Sequence, residues 1–344
     1  MSFLFNQMRK LIGKTWQADF GRFDAQVEFI REGDTAQLSF LLPLVLPNDN
    51  IAAFYRCVCQ VCEQLNAQLE SGLISSAQLI LGIQGNWQQS VYQQIIADLC
   101  ARLAKSNVHV TLIKQNKANK IAMIKRAIKC AKEKQSELFG WCDGDLLLSD
   151  NIMETLIGSI YVRHNCIVGP VHVQVKNPQD FIEQRYLKLP RTKPNKYPQG
   201  CVLFKLNAVE HDFDERDISD DGYLTFANLC LDGQPMNGIQ VIEAAKIYYL
   251  TDLNLKQKLI RFRRISLSHM ILLHKFDKTK AKYIYHNIMF APLFARPLKF
   301  NRQLVVKSLL YFGYLLVTFE LLLRVLIDKP LKRIVWSASS GGDE

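Results

Sequence analysis

Two pairs of carboxylates have the residue types and spacing for chemistry. Asp143 and Asp145 flank Gly144 where the apolar run Leu138–Cys142 ends. If the strand persists, both acids point to one side; if it breaks at the glycine, they can close around one ion. Hard oxygens in this arrangement suit Mg²⁺ or Mn²⁺ shared with a diphosphate, where the ion neutralises a departing phosphate. The plainer reading is an acidic turn, because aspartate is favoured beside glycine for local reasons. Asp220 and Asp221 precede Gly222-Tyr223 and open an apparent helix. An aspartate there is most often an N-cap. In a site, one of two adjacent acids, its pKa raised by the other, serves as general base for a hydroxyl.

Other candidates are weaker. Lys117 and Lys120 begin a helical pattern and read plainly as a solvated face, although Lys120 near the helix start is placed to help backbone amides hold a phosphate. The seven histidines show no His-x-x-x-His or carboxylate-paired spacing, so none is assigned as a metal ligand. Cys57, Cys59 and Cys62 lack a second Cys/His pair nearby and lie in a helix-periodic run, which disfavours zinc. The nine cysteines read as reduced, largely buried thiols on the cytosolic side.

The elements that must position these residues alternate in type. Leu38–Leu46 is a strand pattern, and Pro47-Asn48-Asp49 a turn. Ile51, Phe54, Val58, Cys62, Leu65 and Leu69 then recur at helical steps. Strand patterns at Gln78–Ile83, Val108–Ile113 and Leu138–Cys142 follow, separated by helical patterns at Val91–Leu103 and Ile121–Ala131. Such alternation predicts right-handed crossovers and a mostly parallel sheet covered on both faces. Ligands of such sheets bind beyond the carboxyl ends of the strands, and Asp143-Gly144-Asp145 sits at one of those ends. A helix at Ile152–Tyr161, strands at Cys166–Val173 and Gly200–Leu206 and a helix at Asp221–Leu231 complete the pattern, with a polar loop through Lys188–Pro198.

The net charge of +11 is concentrated. From Lys256 to Lys307 the lysines and arginines are opposed only by Asp277, and between them lie Ile265, Leu267, Met270, Ile271, Leu272, Leu273, Ile288, Met289, Phe290, Leu293 and Phe294. Large aliphatics among basic residues suit an anionic membrane surface; no module for nucleic acid is recognisable. Leu304–Ile327 is long enough to cross a bilayer, with Lys307, Glu320 and Arg324 as its charged members. A span is the leading reading, ahead of an in-plane helix and a buried one. Met1–Gly13 is a short amphipathic segment without the apolar core of a signal peptide.

Taken in order, these motifs resemble the family-2-type glycosyltransferases, closest to the subset of ceramide glucosyltransferases and their bacterial hopanoid-pathway relatives. Leu41-Leu42-Pro43-Leu44 resembles the first-strand motif, and Leu79-Ile80-Leu81-Gly82-Ile83-Gln84 the second strand. Asn116-Lys117-Ala118-Asn119-Lys120 resembles the run before the third helix, and Trp141-Cys142-Asp143-Gly144-Asp145 the DxD-like strand end. Ser219-Asp220-Asp221-Gly222-Tyr223-Leu224 is similar to the element that supplies a base, and Lys258-Leu259-Ile260-Arg261-Phe262 to the (Q/R)xxRW motif. Where the subset has an acid after Val-Gln, this chain has Gly85; Lys258 and Phe262 are the other departures.

The resemblance implies a GT-A fold, an α/β Rossmann-like nucleotide-diphospho-sugar transferase, with membrane-associated C-terminal helices. It implies an inverting, membrane-associated transferase using Mn²⁺ or Mg²⁺, a nucleotide-sugar donor and a lipid or lipid-linked acceptor at the cytoplasmic face. Asp145 and Asp143 are expected at the metal; Asp143, Lys120, Arg261 and Gln84 at the donor; Asp221 and Asp220 at the acceptor hydroxyl. The expected organisation is an N-terminal segment over 1–37, a catalytic domain over 38–255, a basic interfacial region over 256–303, a membrane helix over 304–327 and a polar tail over 328–344. A polysaccharide transferase, a nucleotidyltransferase and a non-catalytic membrane scaffold are the rival readings.

Overall fold

A computed structural model describes residues 24–47, 49–163, 165–175, 197–214, 219–231, 238–250, 265, 268–269, 271–285, 312, 316, 319–320 and 323. The chain divides into two compact units. One comprises Gly21–Glu215 with Asn228–Asp252; the other comprises Met1–Phe20, Arg216–Ala227 and Leu253–Glu344.

The larger unit is built on one mixed sheet. In chain order its described elements are β1 (Ala25–Arg31), β2 (Leu38–Leu46), α1 (Ile51–Glu70), β3 (Ala77–Gly85), α2 (Ser90–Leu103), β4 (His109–Gln115), α3 (Lys120–Glu133), β5 (Leu138–Cys142), β6 (Leu147–Leu148), α4 (Ile152–Arg163), β7 (Ile167–Val175), β8 (Cys201–Lys205) and β9 (Ile239–Leu250). The strands lie in the order β1-β4-β3-β2-β5-β8-β7-β9-β6. The four strands β4, β3, β2 and β5 are mutually parallel, as the alternating sequence pattern predicts. Beyond β5 the expectation of a mostly parallel sheet gives way. β8 runs antiparallel to both β5 and β7, β6 is antiparallel to β9, and β1 closes the opposite edge antiparallel to β4. Only β7 and β9 resume the parallel sense there.

Strand alternation explains the layers. Leu38, Phe40, Leu42, Leu44 and Leu46 of β2 pack in one buried cluster with Phe54 and Val58 of α1, Leu99 and Leu103 of α2, and Leu156 and Ile160 of α4. On the other face lies α3, whose Met123 side chain comes within 2.8 Å of where a Cβ on Gly82 of β3 would stand. Helices therefore cover both faces. Two of them begin with side-chain caps: Asn50 caps α1 by accepting from Ala52 N and Ala53 N, and Asn119 caps α3 by accepting from Ala122 N. The join between the parallel and antiparallel halves is aromatic. Trp141 of β5 meets Phe204 of β8 edge-on at 5.9 Å and Phe213 at 6.0 Å, all three fully buried.

A buried polar ladder crosses the parallel strands. Ser39 Oγ of β2 donates to Gln78 Oε1 of β3 at 2.7 Å, and Gln78 Nε2 donates to Thr111 Oγ1 of β4 at 2.8 Å. Ser39 Oγ also lies 2.7 Å from Ser136 Oγ. In an apolar interior these groups are satisfied only in one strand register.

The smaller unit holds α5 (Asp220–Ala227) and α6 (Lys278–Tyr283). Tyr223 stacks on Phe276 at 6.3 Å, and Phe226 meets His269 edge-on at 5.6 Å. Lys280 Nζ donates to Ala227 O at 2.5 Å, and Lys275 Nζ lies 5.2 Å over the Tyr223 ring. Ile271, Leu272 and Leu273, read from sequence as part of a lipid-facing stretch, are buried inside the protein. This short run belongs to the core, and Lys280 Nζ lies 5.6 Å over the Phe276 ring.

Of Leu304–Ile327, the described residues are Phe312, Leu316, Phe319, Glu320 and Leu323, each helical. Among the described residues no helix is long and apolar enough to cross a membrane. Met1–Gly13 lies outside the described residues.

Replacing Gln78 with leucine nearly keeps the volume, strands the Thr111 hydroxyl and leaves Ser39 Oγ with Ser136 as its remaining partner. Gln78→Leu is expected to lower the unfolding free energy by about 2–4 kcal/mol with an unchanged urea m-value. A change below about 0.5 kcal/mol, within the range of an inconsequential substitution, would mean the ladder contributes nothing.

Candidate donor site at the carboxyl ends of the parallel strands

Because β2, β3, β4 and β5 run parallel, the residues that follow each of them gather at one edge of the sheet. After β5 the chain breaks into a turn: Leu146 N donates to Asp143 O at 3.4 Å before β6 begins. Of the two geometries open to Asp143-Gly144-Asp145, this is the broken strand. Asp143 is half-buried and Asp145 exposed. Asp143 N donates to Gly200 O at 2.7 Å, tying the turn to the start of β8.

Lys120, the first residue of α3, reaches this turn. Its Nζ lies 2.5 Å from Asp143 Oδ1. The loop that presents Lys120 is held from below by two glutamines in register on β3 and β4. Asn119 N donates to Gln84 Oε1 at 2.7 Å, while Gln115 Nε2 donates to Lys117 O at 2.6 Å. Both glutamines are fully buried. Their other ends, Gln84 Nε2 and Gln115 Oε1, are a donor and an acceptor with no hydrogen-bond partner among the described residues. Gln84 was singled out from the sequence and Gln115 was not, although its place at the end of the neighbouring strand was a signal.

Asp49 is the third acid of the cluster and was read from sequence only as a turn residue. Its Oδ2 accepts from Val45 N at 2.6 Å, and its own N donates to Val45 O at 2.8 Å. Although the residue as a whole is exposed, this turns its carboxyl back onto the end of β2. Loss of water around the carboxyl pushes its pKa up to about 6, with the charges of Asp145 and Asp143 adding to the rise; the Val45 N–H and Lys120 oppose it.

His172 of β7 also belongs here, and no spacing rule pointed to it. A Cβ on Gly200 would stand 3.1 Å from His172 Cε1 and 3.6 Å from Asp143 Oδ2, so the glycine lets both side chains approach one point. The ring is oriented by a hydrogen bond between Nε2 and Gln199 O and by edge-on contact with Tyr249 at 5.5 Å.

Beneath the turn lie thiols. Cys142 and Cys201 are register partners across β5 and β8, and Cys57 and Cys142 Sγ point to Asp143 O at 3.9 and 3.5 Å. All three cysteines are buried. Contact with Cys142 and then burial raise the Cys57 thiol, and burial foremost raises Cys142, so both stay protonated.

The donor set has a definite character. Among the described residues no group of three or more histidine, cysteine, aspartate or glutamate side chains converges as a cage for a metal ion. Two carboxylates on one turn instead fit a Mg²⁺-like ion that takes its other ligands from phosphate oxygens and water.

In the smaller unit, Asp220 and Asp221 occupy the first turn of α5. They are not its cap: Ser219 Oγ accepts from Gly222 N at 3.1 Å and takes that role. Asp220 is buried and Asp221 half-buried. Arg261 lies outside the described residues.

No family model matches the chain, and no curated protein is similar to it. Among solved structures, the S. aureus TarS 1–349 crystal structure is similar with a TM-score of 0.40 and 11% identity, over 89% of this chain and 92% of that one.

Gly85, standing where the resembled family has an acid, is constrained by its backbone. Its φ is +86°, and a Cβ there would lie 2.3 Å from Leu46 O. Gly85→Asp and Gly85→Ala are both expected to destabilise the fold by about 2–4 kcal/mol in denaturant unfolding. A well-folded Gly85→Asp protein would show that the position tolerates the acid.

Asp49 yields a pH test. Its carboxyl holds a proton more firmly folded than unfolded, so the folded state is penalised above pH 6 and relieved as pH falls toward the ordinary value of 3.8. Asp49→Asn is therefore expected to raise the melting temperature relative to wild type at pH 8, with the advantage fading through pH 6 and gone by about pH 4. An advantage independent of pH would mean that ionisation of the Asp49 carboxyl is not its source.

Proposed function

We propose that the chain is a metal-dependent, inverting glycosyltransferase that moves a sugar from a nucleotide donor to the hydroxyl of a lipid or lipid-linked acceptor at the cytoplasmic face of a membrane. The observation that supports it is the Asp143–Asp145 turn at the carboxyl end of β5, facing the Lys120 ammonium at the start of α3. Acids able to hold a divalent cation, beside an ammonium at a helix N-terminus on the edge where four parallel strands end, suit a diphosphate that arrives with its metal ion.

In this reading Asp145, assisted by Asp143, holds Mn²⁺ or Mg²⁺, which supplies charge neutralisation of the departing nucleoside diphosphate. Lys120 and Arg261 steady the diphosphate oxygens. Gln84, whose Nε2 has no partner among the described residues, is the proposed contact to the donor at the end of β3. Asp221, with Asp220 beside it, takes the proton from the acceptor hydroxyl as its oxygen attacks the anomeric carbon. A single direct displacement inverts that carbon.

Membrane attachment is supported by Phe312, Leu316, Phe319 and Leu323, which are 57, 52, 59 and 42% exposed and recur at the steps of one helix face. The basic residues between Lys256 and Lys307 complement anionic lipid headgroups.

The test is nucleoside diphosphate release by detergent-purified protein with Mn²⁺ or Mg²⁺, across a panel of nucleotide sugars and a membrane-lipid extract. Lipid-stimulated release from one donor is expected, reduced on the order of 10²–10³-fold by Asp145→Asn and 10²–10⁴-fold by Asp221→Asn. A water-soluble glycosylated product would favour the polysaccharide reading. Pyrophosphate release from a nucleoside triphosphate would mark a nucleotidyltransferase. Absence of both release and donor binding by calorimetry would leave a scaffold.

A further inference from the structure

We infer that Lys120 is an exchangeable counter-ion: it neutralises Asp143 in the donor-free protein and moves to the donor diphosphate only as Asp143 takes a divalent cation in its place, so that cation and diphosphate bind interdependently. The inference rests on the reading of Asp143 and Asp145 as the carboxylates that hold the ion.

The geometry separates a fixed base from a movable tip. The Lys120 backbone is pinned as the first residue of α3, by the Asn119 cap above and by the Gln84 and Gln115 amides below. Its ammonium stands on a flexible four-carbon stem. The ion pair is short, 2.5 Å, but open: the two side chains are 27 and 40% exposed. Pairs in contact with water contribute little net stability and break without unfolding the surroundings.

Charge balance then sets the rule for exchange. Asp49 senses Asp145 and Asp143 as like charges and Lys120 as the opposing one. Withdrawing the ammonium alone leaves these carboxylates to repel one another. A divalent cation approaching Asp143 while the ammonium is still there meets a like charge at contact distance. A diphosphate arriving alone brings further negative charge to an acidic cluster. Lys120 can satisfy the diphosphate only when Asp143 has another partner.

Binding of Mn²⁺ alone, read by calorimetry on the full chain without any nucleotide, isolates this from transferase activity. Lys120→Met is expected to bind Mn²⁺ about tenfold more tightly than wild type at low ionic strength, with the gain shrinking as salt is added. Lys120→Arg should stay near the wild-type affinity, and Lys120→Met combined with Asp143→Asn should lose the gain. Melting temperatures near that of wild type establish that each variant is folded. An unchanged or weaker affinity in Lys120→Met, or no Mn²⁺ binding by either protein, overturns the inference. Because no donor or acceptor is present, the gain in Mn²⁺ affinity stands even where the transferase assay fails.

Discussion

Register between neighbouring parallel strands is the constraint on which the rest depends. Crossover connections place the carboxyl ends of β2, β3, β4 and β5 on one edge, but only a fixed register brings the residues just beyond them to the same depth. The Ser39–Gln78–Thr111 ladder supplies that fixity from within the apolar layers, where a slip strands hydroxyls and amides together. From it follow the neighbouring places of Asp49, Gly85, Gln115 and Asp143. The site is thus an outcome of alignment far below it in the sheet.

Much of this was legible in the sequence because parallel strands buried on both faces read as continuous apolar runs. Leu38–Leu46 and Leu138–Cys142 fall where their patterns placed them. β1 and β9 did not show, for separate reasons. Val27 and Phe29 of β1 remain 45 and 48% exposed, so its apolar residues mark no buried face, and it lies within the stretch expected to precede the sheet. The register of β9 against β7 shifts between Pro170 and Val171, which disrupts the alternation a pattern search needs. β6 is two residues long and leaves no periodic signal.

The site was legible in part. A motif such as Asp143-Gly144-Asp145 is visible because its members are adjacent; Lys120 was placed near a phosphate from its helix start alone. That Lys120 rests on Asp143 depends on the side chain at the start of α3 reaching the turn after β5, with β3 and β2 between β4 and β5 in the sheet, and no local spacing records it. Asp49 was hidden by its own turn chemistry, since an aspartate after proline already has a sufficient local explanation. His172 was hidden because its approach to Asp143 depends on a glycine just before another strand. Within the basic region one short run departs from its sequence reading. Aliphatics among lysines look interfacial, yet Ile271–Leu273 is core, and Lys275 and Lys280 lie over aromatic rings.

The sealed thiols beneath the acidic turn make the floor of the site a clock for its own breathing. Cys142 and Cys201 are out of reach of water while β5 and β8 stay paired, so a small thiol reagent meets them only in molecules whose ladder has parted locally. When reclosing outpaces the chemistry, labelling speed measures the population of that opened form and hence its free energy above the closed one. Sulfur atoms with no part in binding therefore report how often the ground under Asp143 gives way.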